Sequence, residues 1–470
     1  MLFNSVVFLW FFLIVYSLYL LTMRRLRLQN ALLLVAGYVF YGWWSVKFLS
    51  LLVWTTVFDY VIARLLGRTE DQRRRKILLV FSLTSSLTIL GVFKYFNFFA
   101  DSLAAVLTAL GLHPGSHVLN VVLPMGISFY TFQTMAYVIE VYKRKTEPCR
   151  NLLDFAVYSA FFPQLVAGPI ERPWSLLPQV QRPRQITPAM VNAGLWLVLW
   201  GYFKKLVIAD GLARLSEVTF ATGLPVHGVD VILGILAFTV QIYADFSGYT
   251  DIARGLAHLL GFELLLNFRL PYFAKDPSDF WQRWHISLSQ WYRDYLYIPL
   301  GGSRHGEWKT CRNLLVTMLL CGLWHGAAWH FVAWGGYHGL LSAAYRLAGR
   351  LRPAGSERTG PLLNLGRTLL MFAFAALGWT LFRANTVSDA WHLLRQASFA
   401  TTVSTSSFVK YLALCVSPLV VLDTWQHRAG DLLAPSKAPV VLRGLLYGAL
   451  LVGLICIGAR TGVDFIYFQF

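Results

Sequence analysis

The chain is a succession of apolar runs separated by short basic or polar breaks. One run fills 1–23 and ends at Arg24, Arg25 and Arg27; a second ends near Trp44, and a third stops before a basic cluster at 64–77 that contains Arg73, Arg74 and Arg75. The runs are continuous and lack strict alternation, which predicts membrane-spanning helices and excludes a closed barrel. Residues 78–98 continue the pattern, with Lys94 near the far end where its stem can snorkel. Residues 99–118, with Gly111, His113, Pro114 and Gly115, predict an external helix and turn, and 119–142 return to Lys143, Arg144, Lys145 and Arg150. Later helices are expected near 189–209, 230–260, 314–325, 327–347, 363–383, 407–423 and 441–459, or roughly ten spanning or half-spanning helices in all.

The basic breaks alternate with nearly uncharged ones, so the positive-inside rule puts 24–28 and 64–77 in the cytoplasm and the N-terminus outside it. The first run lacks a basic n-region and a small-residue cleavage site before Arg24, which makes it a first membrane helix and not a signal peptide. A basic loop at 346–358 and polar loops at 384–406 and 424–440 separate the last runs. Two stretches depart from the pattern. Residues 161–173 are apolar but broken by Pro163, Pro169 and Pro173, too short to span; this predicts a re-entrant segment shielded by protein. Residues 261–313 form a charged, aromatic insert.

Composition agrees with the pattern. The 470 residues are 56% hydrophobic, 16% aromatic and 14% charged, with a mean hydropathy of +0.53, too little polar surface for a soluble globule of this size. The chain is therefore an all-α polytopic membrane protein with the phospholipid bilayer as its first partner. A formal charge of +18 could suggest nucleic acid, but Lys and Arg lie in short clusters between apolar runs, and positive-inside topology accounts for them. Cys149, Cys311, Cys321, Cys415 and Cys456 show no paired spacing, so neither a disulfide framework nor a zinc site is expected. With no internal repeat, residues 1–470 read as a single membrane domain.

Candidate chemistry begins at Cys321-Gly322-Leu323-Trp324-His325-Gly326-Ala327-Ala328-Trp329, where one imidazole sits in an apolar run and an unpaired polar group is costly to desolvate. His325 is either a core histidine satisfied by a backbone carbonyl or a reacting group. In the insert, Trp281, Trp284, Leu288 and Trp291 recur at helical spacing, which predicts one amphipathic helix with an aromatic face. Arg283, Ser287, Gln290 and Asp294 fall on its other side, and His285 lies beside the stripe. An interfacial helix explains the stripe. It does not explain the combination with the Gly301-Gly302 turn and Trp324-His325-Gly326. His325 and His330 are five residues apart and diverge on a helix, whereas a helical two-His zinc site takes i and i+4, so no metal is expected. Asp245 and Asp251 flank Ser247-Gly248 in an apolar run; Arg254 offers Asp251 a local ion pair, while Asp245 has no comparable partner in sequence.

Residues 280–302 together with 322–329 resemble the signature of the membrane-bound O-acyltransferases (MBOAT), and of their bacterial alginate O-acetyltransferase branch. Leu123-Pro124-Met125-Gly126-Ile127-Ser128-Phe129-Tyr130, Ala167-Gly168-Pro169-Ile170 and Tyr243-Ala244-Asp245-Phe246-Ser247-Gly248-Tyr249-Thr250-Asp251 are similar too, and the likeness weakens after residue 385. It implies an MBOAT-like ring of transmembrane and re-entrant helices around a tunnel, with the charged amphipathic insert at 261–313 and a core motif at 280–340. An acyl group would pass from a cytoplasmic thioester, acetyl-CoA, through a bacterial inner membrane to a hydroxyl outside, with no bound cofactor. The acceptor would be an exported polysaccharide, alginate- or cellulose-like, reached directly or through a periplasmic SGNH-type acetyltransferase working with the polysaccharide export machinery. Peptidoglycan O-acetylation and D-alanyl transfer to teichoic acid share the signature and stay open. A transporter would also bury His and Asp, but it predicts paired broken helices in two matching halves, and only 163–173 is broken.

By this resemblance His325 matches the family's buried catalytic histidine, and His285 falls where relatives carry a second polar residue. Burial disfavours a charged imidazole, so His325 would be neutral and able to take a proton from the acceptor hydroxyl. His285 would polarise the thioester carbonyl, orient His325, or only anchor its helix. His338 matches a further histidine of the bacterial branch, although the glycines around it fit a packing role in which the ring bridges to backbone. His338, Trp324 and Asp245, the last as a tunnel-lining carboxylate, are candidate supporting residues. Arg283, Arg293 and Lys275 would meet the phosphates of coenzyme A or those of lipid.

Overall fold

The computed structural model describes residues 1–112, 119, 122–221, 226–350, 360–459 and 465–466. The turn expected at His113, Pro114 and Gly115 and the loop residues 351–358 lie outside them. All regular elements among the described residues are helices. Six are long and apolar enough to cross a membrane, namely Val46–Arg68, Gln72–Ala109, Pro188–Phe220, Val229–Leu259, Pro361–Arg383 and Thr405–Ala429. Val6–Leu21 and Val440–Cys456 are apolar but shorter. The apolar pattern thus resolves into six full-length helices with shorter or more polar companions.

The chain divides into two compact units. The first, Met1–Val191 with Leu256–Leu265, carries α1 (Val6–Leu21), α2 (Leu26–Gly42), α3 (Val46–Arg68), α4 (Gln72–Leu90), α5 (Phe96–Ala109), α6 (Ile127–Tyr142), α7 (Leu152–Ala160) and α8 (Pro173–Gln181). Polar residues at two of the breaks cap α4 and α7: Asp71 accepts from the Arg73 amide at 2.9 Å, and Asn151 from that of Leu153 at 2.8 Å. Inside the unit the Arg184 guanidinium is held by Asn30 at 2.7 Å, Tyr19 at 3.1 Å and Gln29 at 3.2 Å, which satisfies a buried charge by hydrogen bonds. The proline-broken stretch 161–172 is buried throughout. Gly168 N donates to Gln164 O at 2.9 Å, and the side-chain amides of Gln133 and Gln164 donate to Tyr158 O at 2.7 and 2.9 Å. Its irregular backbone is shielded by protein, as expected.

The second unit, Asn192–Gly255 with Leu266–Phe470, contains most of α9 (Pro188–Phe203), a π-helical segment Lys204–Ala209, α10 (Asp210–Phe220), most of α11 (Val229–Leu259), α12 (Pro277–Arg283), α13 (Ile286–Tyr292), α14 (Glu307–His325), α15 (Trp329–Arg350), α16 (Pro361–Arg383), α17 (Val387–Gln396), α18 (Thr405–Ala429) and α19 (Val440–Cys456). Glycines let α9 and α11 touch backbone to backbone: a Cβ on Gly201 would meet Gly248 O at 2.7 Å, and one on Gly255 would meet Gly194 O at 2.7 Å. The same device closes α14 on α15, where a Cβ on Gly335 would meet Met318 O at 2.2 Å.

Beside the first contact, the π segment turns two adjacent lysines toward α11. Lys204 Nζ lies 2.6 Å from Asp251 and 2.9 Å from Ser247 Oγ; Lys205 Nζ lies 2.8 Å from both Asp245 and Asp210. Arg254, the partner that sequence offered Asp251, is 3.6 Å away. Asp245, which sequence left without a partner, is paired. Removing one member of such a buried pair leaves the other charge uncompensated, though Asp251 would keep Arg254. Lys204→Met is expected to cost about 2 kcal/mol, read as a lower unfolding midpoint of the detergent-extracted chain; an unchanged midpoint would mean that water solvates Asp251.

Candidate active site

The aromatic stripe of the insert does not form one amphipathic helix. α12 ends at Arg283, α13 begins at Ile286, and His285 between them takes φ +42° and ψ +54°, the left-handed region that side chains with a Cβ rarely adopt. A neighbouring stretch holds the break open: Ile286 N donates to Asn267 O at 2.9 Å, Ser287 Oγ to Asn267 Oδ1 at 2.6 Å, and Arg269 N to Arg283 O at 2.9 Å. Ser287, expected on the wet side, is buried for that reason. Trp284 and His285 are wholly buried, so this is not a helix lying in a membrane interface. A strained residue kept in place by its surroundings is a mark of function.

His325 is the last residue of α14 and His338 lies on the third turn of α15, both buried. The His285 and His325 ring centroids are 6.3 Å apart, with Trp324 4.9 Å from His325 and 5.9 Å from His285. Phe246 packs edge-on to His285 at 4.7 Å, and Phe382 to His325 at 5.4 Å. Trp334 stands between His325 and His338, 5.0 Å from each. The hairpin turn at Gly326 is tight enough that a Cβ there would overlap the Phe331 ring at 2.0 Å. The structure thus gathers His285, His325 and Trp324 in one aromatic chamber and sets His338 behind Trp334. Among the described residues neither ring nitrogen of His338 has a hydrogen-bond partner, so the backbone bridge expected of a packing histidine is not formed.

Arg283, two residues before His285, lines an open cavity of about 360 Å³ together with Arg269, Asp279, Gln282, His427 and Asp431. Its guanidinium pairs with Asp279. The Asp431 carboxyl, at the rim, is held below its ordinary range by hydrogen bonds from Lys437 and the Leu433 amide. Arg293 and Lys275 are exposed and do not line the cavity; Arg293 pairs with Asp294 at 2.8 Å. His330 turns away from His325, its Nδ1 2.9 Å from Asn385 O. Sequence reasoning passed over Phe246, Trp334 and Phe382. Nothing but their aromaticity marks them, and the chain is rich in such side chains.

A buried pair of imidazoles beside an open polar cavity suits acid–base chemistry on a group supplied through that cavity. Comparison with known proteins leads to the same class. The pattern of the MBOAT, membrane-bound O-acyltransferase family, matches residues 147–382. A protein of Azotobacter vinelandii named "probable alginate O-acetylase AlgI" is 44% identical over 84% of this chain and 77% of its own length. A protein of the same name from Pseudomonas putida is 38% identical over the whole of both chains. A peptidoglycan O-acetyltransferase of Helicobacter pylori is 34% identical over 77% of this chain and 72% of its own. The chain belongs to the membrane-bound O-acyltransferase family: it is a multi-pass membrane O-acyltransferase.

Proposed function

We propose that the chain moves an acetyl group from cytoplasmic acetyl-CoA across the bacterial inner membrane for O-acetylation of an exported polysaccharide, alginate- or cellulose-like, through a periplasmic SGNH-type acetyltransferase. The observation that carries this is the break at His285. It sets Arg283 in an open polar cavity and His285, two residues on, in a buried chamber 6.3 Å from His325. Two imidazoles at that separation can both reach one acyl group through hydrogen bonds of about 3 Å.

Charge orients the path. Glu307, at the start of α14, pairs with Arg346 at 2.7 Å, so the basic end of the α14–α15 hairpin is one end and His325 is at the other, about 28 Å along the helix. Under the positive-inside rule the Arg346 end is cytoplasmic and His325 faces outward. Alternation of the helices from there brings Arg428, Asp431, Lys437 and Arg443, and with them the Arg283 cavity, to the cytoplasmic side, with the N-terminus outside. The ring of transmembrane and re-entrant helices around a tunnel, implied by the family, would join the two ends. Arg269 and Arg283 would meet the donor's phosphates.

In the reaction His325 takes the proton of the acceptor hydroxyl. The oxygen adds to the thioester carbonyl, His285 donates a hydrogen bond to the oxyanion, the C–S bond breaks, and the leaving thiolate recovers the proton from His325. Residues 1–470 would act as one catalytic domain. Acetylation of peptidoglycan is a second reading, favoured by the Helicobacter pylori relative.

His285→Ala is expected to lower thiol release from acetyl-CoA by about a hundredfold in proteoliposomes that hold the native amount of chain. A native rate in that variant would remove His285 from the chemistry and with it the observation on which this reading rests.

A further inference from the structure

The end of the second unit is fastened at two points. Ala459 N donates at 3.0 Å to the carbonyl of Leu206, inside the π-helical segment Lys204–Ala209. Ile466 N donates at 2.7 Å to Asp245 Oδ2, while Asp245 Oδ1 lies 2.8 Å from Lys205 Nζ. Phe465 and Ile466 are each 3% exposed, buried as deeply as core residues. The Phe465 ring lies 4.9 Å from Tyr249 and 5.7 Å from Phe246, and Phe246 is the ring packed edge-on against His285 at 4.7 Å.

We infer that Asp245 is a positioning residue: it clasps Phe465 and Ile466 behind Phe246 and so fixes the ring of His285. Both of its oxygens are engaged, one by a lysine and one by a backbone amide. The neighbouring charges agree. Lys205 already has Asp210 at 2.8 Å, so a second carboxylate is not needed to neutralise it. The Ile466 amide is what the second carboxylate adds. A carboxylate accepting a backbone N–H makes a strong, directional bond, and in a buried setting it fixes the segment it holds. The line of contact from Lys205 through Asp245, Phe465 and Phe246 to His285 stays within one unit. The role differs from the tunnel-lining one expected for Asp245, and it rests on the acyl-transfer role proposed for His285.

The test uses the full chain in proteoliposomes, acetyl-CoA as donor, alginate with a periplasmic extract as acceptor, and thiol release as the readout. Asp245→Ala and Phe465→Ala are each expected to lower kcat about tenfold, as a reacting group loses its alignment, with KM for acetyl-CoA within about twofold of native. The double variant is expected to be no slower than the slower single, because both remove one contact, and Phe465→Tyr, which keeps the ring, is expected to stay near native. A native kcat in Asp245→Ala, or losses that multiply in the double variant, would overturn the inference. Should Asp245→Ala fail to fold, Phe465→Ala leaves the ion cluster intact and reads the same contact; a native kcat there overturns it equally. His325→Ala is run alongside. If it matches the native rate, the acyl-transfer reading fails on its own account, separately from the clasp.

Discussion

Cells carrying His325→Ala in place of the native chain are expected to export polymer whose acetyl content falls by about a hundredfold to ten-thousandfold, the range a general base contributes. The size of the effect follows from where the imidazole lies. It closes α14 against Trp324, Trp334 and Phe382, with the His285 ring 6.3 Å away, and a methyl group there has nothing with which to accept a proton. The truncation also leaves a small cavity in an aromatic wall, a modest structural cost beside the loss of the base. Membrane insertion and amount of chain, measured in the same cells, separate the two. Full insertion with lost acetylation is the expected pair of results, and normal acetylation would exclude His325 as the base.

The second large effect is on stability. Gly335→Val is expected to destabilise the chain by about 3 kcal/mol, because the new Cβ would sit 2.2 Å from Met318 O and 3.1 Å from Leu319 Cα, backbone atoms that cannot rotate aside. Gly322 makes the reciprocal approach, its Cβ position 2.1 Å from Phe331 O, so the hairpin has no slack on either side. Trp334 precedes Gly335 and packs on both His325 and His338, so the helices that part under Gly335→Val also spoil the chamber. Gly349→Val on the same helix is the control. Nothing lies within 4 Å of its Cβ position, and its unfolding midpoint should stay near native while that of Gly335→Val falls by several degrees. Equal midpoints would mean that α14 and α15 do not pack on their glycines.

Much of this was legible in the residues. The apolar run at 230–260 is α11 within a residue, 363–383 lies inside α16, and the prolines at 163, 169 and 173 marked a stretch that is indeed non-helical until α8 and buried. What escaped depends on contacts distant in sequence. Trp281, Trp284, Leu288 and Trp291 keep a helical period across the break at His285, so periodicity gave no sign of it; Asn267, from another segment, takes the bonds that a continuous helix would have used. Asp245 looked solitary because its partner, Lys205, is forty residues away and is aimed at it by a π segment, for which two adjacent lysines are no signal. His338 showed the reverse. Its glycines do bring helices close, with a Cβ on Gly339 only 3.0 Å from Leu315 Cα, yet the ring makes no backbone bond among the described residues.

The central claim, that acetyl leaves a donor on one side and reaches a hydroxyl on the other by way of His325, is tested most directly in oriented vesicles. Acetyl-labelled CoA is supplied to the cytoplasmic face, with alginate and a periplasmic extract on the opposite face. The native chain should transfer label to the outer acceptor while the CoA stays behind, and the His325→Ala chain should leave the label with its donor. Equal transfer by both chains, or transfer only when the donor is placed on the acceptor's side, would contradict it.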